Sequence, residues 1–192
     1  MDIYFDFQIA RKTIIEMFTD RFYNMEEFYN EDRSINMLTI NEIKNKMNED
    51  HMEMKVGQDR KKCVLFYNDK IGVDIMKEII KLMTENECNH LTLVVKQKIT
   101  AFAKKELINM PENVFFEMFN LDELLYNVTR HKYVPKHILM NKLEDISDIH
   151  KTFGTRLPKI LKTDPVSRYY NARPGNIFKI MRRSGVFYRT IV

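Results

Sequence analysis

The stretch Thr163-Asp164-Pro165-Val166-Ser167-Arg168-Tyr169-Tyr170-Asn171-Ala172-Arg173-Pro174-Gly175-Asn176-Ile177-Phe178-Lys179-Ile180-Met181-Arg182-Arg183 sets a helix start, a tight turn and a basic strand in quick succession. Thr163 or Asp164 offers an N-cap oxygen. Pro165 suits the first helical position, where its missing N–H would have had no intrahelical acceptor. The helix should end near Tyr170. Arg173-Pro174-Gly175 reads as a turn, and Asn176 to Arg183 and Val186 to Val192 read as strands joined around Ser184-Gly185.

Just before this stretch, Lys136 to Met140 is a short strand and Asn141 to Phe153 a polar helix closed by Gly154. Leu157 to Leu161 is extended, with Pro158 at an edge position. Four of the five prolines lie beyond Tyr133. From Val134 onward there are twelve Lys and Arg against four Asp and Glu, so this part carries +8 and the remainder −4. These shifts predict a boundary near Tyr133-Val134-Pro135, dividing the chain into domains 1–133 and 134–192. The basic second domain calls for nucleic acid or an acidic protein surface as partner.

The first domain has a different rhythm. Ile3, Phe7, Ala10, Ile14 and Phe18 recur at steps of three and four, predicting a helix to about Tyr23 with Arg11, Lys12, Asp20 and Arg21 mostly off its apolar face. Thr39-Ile40-Asn41-Glu42 has capping-box spacing and predicts a helix over Asn41 to Asn48. Met52 to Val56 and Lys62 to Tyr67 read as a hairpin around Gly57-Gln58-Asp59-Arg60. A helix over Gly72 to Thr84, a strand over His90 to Val95, a helix from its cap at Thr100 to about Met110, a strand over Asn113 to Met118 and a short helix over Asn120 to Leu125 follow. Alternating strands and helices predict an α/β (α+β) chain: a sheet with crossover helices first, then a small mixed sheet.

Composition narrows the function. The 192 residues, 44% hydrophobic and 30% charged, have the balance of a globular protein. No run nears the roughly eighteen apolar residues of a membrane span, and the N-terminus lacks the basic lead of a secretory signal, so an intracellular or virus-made compartment is expected. Cys63 and Cys88 stand apart from each other and from His at ligand spacing, so both are expected to be structural. The five glycines make no phosphate-cradling loop, and neither Ser167 nor Ser184 sits in a nucleophile elbow. The histidines, His51, His90, His131, His137 and His150, include no i, i+4 pair and read as scattered surface or interface residues. Hence no catalytic residues, metal or cofactor are expected.

Glu53-Met54-Lys55 has the acid-x-Lys form of metal-dependent nucleases, but the second acid such a site needs has no good source: Asp32 and Asp50 fall in loop-like or helix-end contexts. A nuclease-like domain is therefore the alternative reading, and a free nucleic-acid-binding module another. Arg156, Lys159, Lys162, Arg168, Arg173, Lys179, Arg182, Arg183 and Arg189 face a single acid, Asp164, in the last part of the chain. Interleaved Tyr169, Tyr170, Phe178, Phe187 and Tyr188 equally suit a protein interface, where Arg and Tyr act as anchors.

Thr163 to Tyr170, Arg173-Pro174-Gly175 and Ile177 to Arg182 resemble the signature of the jaw and assembly subunit shared by the eukaryotic nuclear RNA polymerases, a family whose archaeal members lack the jaw. Val134-Pro135-Lys136-His137 and Leu157-Pro158-Lys159-Ile160 are similar to that family's entry into its C-terminal domain and to the element before the signature. Ala10 to Ile15 with Asp20-Arg21, and Leu93-Val94-Val95 with Ala103-Lys104, resemble its eukaryotic N-terminal jaw. The resemblance implies a non-catalytic subunit of a DNA-directed RNA polymerase. Its C-terminal domain would dock on the largest subunit, among other polymerase subunits, and its endonuclease-like jaw would lie beside downstream double-stranded DNA. It implies nuclear localisation, or host cytoplasm and virion for a viral member, with neither membrane nor homo-oligomer. Asp164, Pro165, Arg168, Tyr169, Arg173, Gly175, Lys179 and Arg182 are then candidates for the subunit interface, with Asp164 capping the helix and Gly175 permitting the turn. Lys96, Lys98 and Thr100, at a strand end leading into a helix, are candidates for weak, non-specific contact with the DNA backbone. Ala101-Phe102 departs from the Pro-Ser usual in the family's DNA-facing loop.

Overall fold

Strands β3 (Lys62–Tyr67) and β4 (His90–Val95) are apolar at almost every position and buried throughout or nearly so. Only a sheet covered on both faces can satisfy such runs. The computed structural model describes residues 3–23, 25–32, 34–35, 37, 47–48, 51–56, 62–85, 87–110 and 113–192. In it the two strands are central in a five-stranded sheet, in the order β1 (Met47–Asn48), β2 (His51–Val56), β3, β4 and β5 (Phe115–Asn120). β2 runs antiparallel to β3, whereas β3, β4 and β5 are parallel.

Parallel neighbours need crossovers, supplied by α2 (Val73–Glu85) and α3 (Ala101–Glu106). On that side Cys63, Leu65, Leu91, Leu93 and Val95 of the sheet pack with Met76, Ile79, Met83 and Ala103 of the helices. The alternate residues, Val64, Phe66 and Val94, face the other way and are fully or almost fully buried. There they meet α1 (Ile3–Asp20), whose Phe7 ring stands edge-on to Phe66 at 5.8 Å. The apolar stripe Phe7, Ala10, Ile14 and Phe18 is buried as its spacing predicts.

Several boundaries differ from the sequence reading. Most of the helix expected over Asn41 to Asn48 lies outside the described residues, but its last two, Met47–Asn48, are a strand paired with His51 and Met52. The hairpin turn Gly57 to Arg60 also lies outside them. β5 starts at Phe115 rather than Asn113, because the ladder to β4 opens at the pair His90 and Phe115. α3 stops at Glu106 and gives way to a 3-10 turn, Leu107–Asn109.

The chain divides into two compact units, Met1–Tyr126 and Asn127–Val192. The division precedes Tyr133-Val134-Pro135 because the 3-10 turn Val128–Arg130 belongs to the second unit: Val128 packs on its core, and Asn127 Nδ2 donates to Tyr169 Oη at 3.1 Å. The second unit is a four-stranded sheet in the order β6 (Lys136–Met140), β8 (Ile177–Arg182), β9 (Gly185–Ile191), β7 (Lys159–Ile160). One face carries Leu139, Ile160, Phe178, Ile180 and Ile191, which form the core with Val166 and Ala172 from α5 (Pro165–Tyr169) and the loop after it. Toward the other face, Phe153 at the end of α4 (Leu143–Phe153) stacks on Tyr188 with centroids 4.9 Å apart.

Candidate functional site

Three of the interface candidates in the second unit build local structure. Asp164 is the N-cap of α5, its Oδ1 accepting from Val166 N–H at 2.9 Å. Tyr169 is only 3% exposed, its hydroxyl taking the Asn127 amide and its ring edge-on to Tyr170 at 5.1 Å. Gly175 has φ +90°, a conformation disfavoured for any residue with a Cβ. Its N–H donates to Ile191 O at 3.1 Å, tying the turn to the last strand. Nothing lies within 4 Å of a Cβ built there, so Gly175→Ala meets no clash and its cost is conformational. Thermal unfolding of that variant should register a loss of about 1–2 kcal/mol from the left-handed backbone.

The remaining candidates do not converge on one face. Strand alternation puts Arg182 with Phe178 and Ile180, and Lys179 with Tyr188 and Ile138 on the opposite side. Arg182 is exposed at the strand end, its guanidinium 5.6 Å from the Phe187 ring centroid. Pro165 and Arg173 are exposed, whereas Arg168 and Lys179 are half-buried. Arg173 N–H donates to Asn176 Oδ1 at 3.0 Å, fixing the turn. Of the aromatic residues read as interface anchors, Tyr169 and Phe178 instead hold the unit's own interior, and Phe187 is 45% exposed.

Around His137 the charges gather. Its Nδ1–H donates to Pro135 O at 2.7 Å and its ring stands against Phe178. Burial pushes His137 below the ordinary imidazole value; the Pro135 carbonyl and Asp164 oppose this, and the Arg182 and Arg189 guanidiniums add to it. The outcome is a basic, partly apolar end of the sheet formed by Arg182, Arg183 and Arg189 with exposed Met181, Val186 and Phe187. Met181 and Val186 are absent from the interface candidates read from the sequence, although a basic hairpin with apolar residues at its tip is visible there.

In the first unit, Lys96 Nζ lies 3.3 Å from Oδ2 of Asp6, which is 3% exposed. Thr100 Oγ1 accepts from Ala103 N–H at 3.1 Å and so caps α3. Among the three backbone-contact candidates, Lys98 is the exposed cation with no ion-pair partner among the described residues. Exposed Lys104, Lys105 and Phe102 stand nearby on α3.

A second polar group escaped the sequence reading. Arg21 grips Glu117 through two bonds, Nη1 to Oε1 at 2.8 Å and Nη2 to Oε2 at 3.1 Å. His90 Nε2 and Thr92 Oγ1 reach the same Oε1 at 3.0 and 2.8 Å. His90 is therefore buried at 4% exposure, not a surface histidine. Burial pushes the Glu117 carboxyl up, but the His90 hydrogen bond and the Arg21 guanidinium overcome it and hold the group at about 2. Its position on β5 under the end of α1 is that of a structural clamp.

The nuclease-like pair has no such support. Glu53 Oε1 accepts from Cys63 Sγ–H at 3.2 Å and lies 3.8 Å from Lys55 Nζ. Burial, reinforced by the Glu53 carboxylate, raises the Cys63 thiol far above its ordinary value. Asp32 instead accepts from the backbone and hydroxyl of Ser34. Among the described residues, no three His, Cys, Asp or Glu side chains come together to hold a metal ion.

Comparison with known proteins fits this division. The family described as RNA polymerase Rpb5, C-terminal domain, matches residues 126–192, which takes in the whole second unit. Over 180 residues the chain is 33% identical to the DNA-directed RNA polymerases I, II, and III subunit rpabc1 of Dictyostelium discoideum, covering 91% of this chain and 88% of that one. It is 34% identical over 137 residues to subunit RPABC1 of Caenorhabditis elegans, covering 67% and 65% of the two chains. With the DNA-directed RNA polymerase subunit 5-like protein 1 of Arabidopsis thaliana it shares 29% over 182 residues, covering 90% and 87%. A third of the sequence is thus shared with the Dictyostelium subunit across both units, and the chain belongs to the Rpb5 family of DNA-directed RNA polymerase subunits.

Proposed function

We propose that this chain is a non-catalytic subunit of a multisubunit DNA-directed RNA polymerase, docked through its second unit on the largest subunit and carrying its first unit beside downstream DNA. The observation that carries the reading is similarity along nearly the entire chain to proteins named as polymerase subunits. The basic hairpin end supports a protein contact: exposed Arg182 and Arg183 beside half-exposed Phe187 suit an acidic, partly apolar surface. The relatives come from eukaryotes, which supports a nuclear setting.

For DNA, exposed Lys98 is the leading backbone contact, with the Lys96 charge shared with Asp6. Such contacts carry no sequence information and weaken with salt. Tethering in a complex would raise the local DNA concentration enough for weak contacts to matter. The test is double charge reversal, Arg173→Glu with Arg182→Glu, at two exposed positions outside the core. Co-purification of the largest polymerase subunit should fall by roughly ten- to a hundredfold while the variant keeps its fold by circular dichroism. Unchanged recovery would remove both arginines from the interface.

A further inference from the structure

The outer edge of β9 is open along its first half. Its outer neighbour, β7, pairs only with Thr190 and Ile191. On β9, Ile191 N–H donates toward β8, to Asn176 O, whereas Thr190 N–H donates outward to Pro158 O at 2.9 Å. Antiparallel alternation therefore aims the N–H and C=O groups of Val186 and Tyr188 outward as well. Neither has a backbone partner there among the described residues. Gly185, Val186 and Phe187 are exposed, the last two at 47% and 45%. An open edge of this kind is a template for another strand.

The surrounding side chains specify that strand. Val186 and Tyr188 lie on the sheet face of Met181, while Phe187 and Arg189 lie on the face of Arg182. Arg183 occupies the hairpin turn, and no Asp or Glu occurs from Ile177 to Val192. The opposite edge, β6, offers less: its residues are mostly half-buried, and its His137 is bonded to Pro135 and packed on Phe178.

We propose that an extended segment of a neighbouring polymerase chain adds as a strand to β9 at Val186 to Tyr188, and that this segment alternates apolar and acidic residues. Apolar side chains would lie beside Val186 and Tyr188, and carboxylates on the other face within reach of Arg182 and Arg189. The inference rests on the subunit reading and deepens it by naming the chemistry of the partner segment.

Val186→Pro deletes one outward N–H without touching the β8 ladder, a substitution that edge strands accept. Val186→Ala trims the side chain and keeps the N–H. The full-length tagged chain and both variants are expressed in the native source, and the recovered polymerase is quantified. Val186→Pro should keep the wild-type melting curve and recover at least about tenfold less polymerase, as expected for one lost backbone bond and its stranded partner. Val186→Ala should recover most of it. Photocross-linking from p-benzoylphenylalanine at position 186 should map to an alternating apolar and acidic segment. Wild-type recovery by Val186→Pro would overturn strand addition and leave the subunit reading standing, whereas no polymerase on the wild-type chain would sink both. A cross-link to a basic or helical segment, or to a second copy of this chain, would also overturn it. Should Val186→Pro unfold, amide exchange decides: Val186 and Tyr188 must exchange at least about tenfold more slowly in the complex than in the free chain, and equal rates would refute the proposal.

Discussion

Replacing Arg21 with alanine is expected to destabilise the first unit by about 3–5 kcal/mol, because it strands a buried carboxylate. The two side chains are 4% and 11% exposed, and the guanidinium makes both bonds of a bidentate pair. His90 and Thr92 would remain on Glu117, but both compete for Oε1 and leave Oε2 without its partner. The pH dependence follows from the depressed carboxyl. Glu117 contributes stability that is fully present above its unfolded value of 4.5 and is lost as pH falls through about 2. A shift of that size corresponds to about 3 kcal/mol. Without Arg21 the carboxyl rises toward its unfolded value, so the variant's deficit should be largest at neutral pH and shrink as pH falls toward about 2. Urea unfolding at neutral and acid pH measures both effects. A neutral-pH loss under about 1 kcal/mol, the value of an exposed pair, would contradict the clamp.

Phe178→Ala should be as damaging to the second unit, at about 3–5 kcal/mol for a fully buried aromatic ring. Phe178 is 0% exposed and stands edge-on to Tyr170 and His137, in a core of few residues. A unit of this size has on the order of 5 kcal/mol to lose, so the substitution should leave it largely unfolded near body temperature. Amide exchange read residue by residue would detect this as lost protection across β6, β8 and β9. Native protection in those strands would mean that the core refills the space.

The first unit's strands and helices were legible wherever burial imposes a period, as in the Phe7, Ala10, Ile14, Phe18 stripe and the unbroken apolar runs of β3 and β4. The N-cap at Asp164 and the turn at Gly175 were legible because each needs a particular residue chemistry. The Arg21 and Glu117 clamp was not, since its members lie 96 residues apart and Arg21 sits just past the helix end, where charge ordinarily faces water. Asp6 with Lys96, 90 residues apart, escaped for the same reason. Lys179 and Arg182 look like neighbours on one basic strand, yet a period of two sends them to opposite faces. Composition could count the positive charge of the second unit but could not direct it.

The most direct measurement is purification of the tagged chain from its native source, followed by identification of the stoichiometric partners. A polymerase subunit of this family should bring down the two largest polymerase subunits, and the Phe178→Ala chain should bring down neither. A wild-type chain that is folded, recovered in good yield and free of both subunits would contradict the assignment.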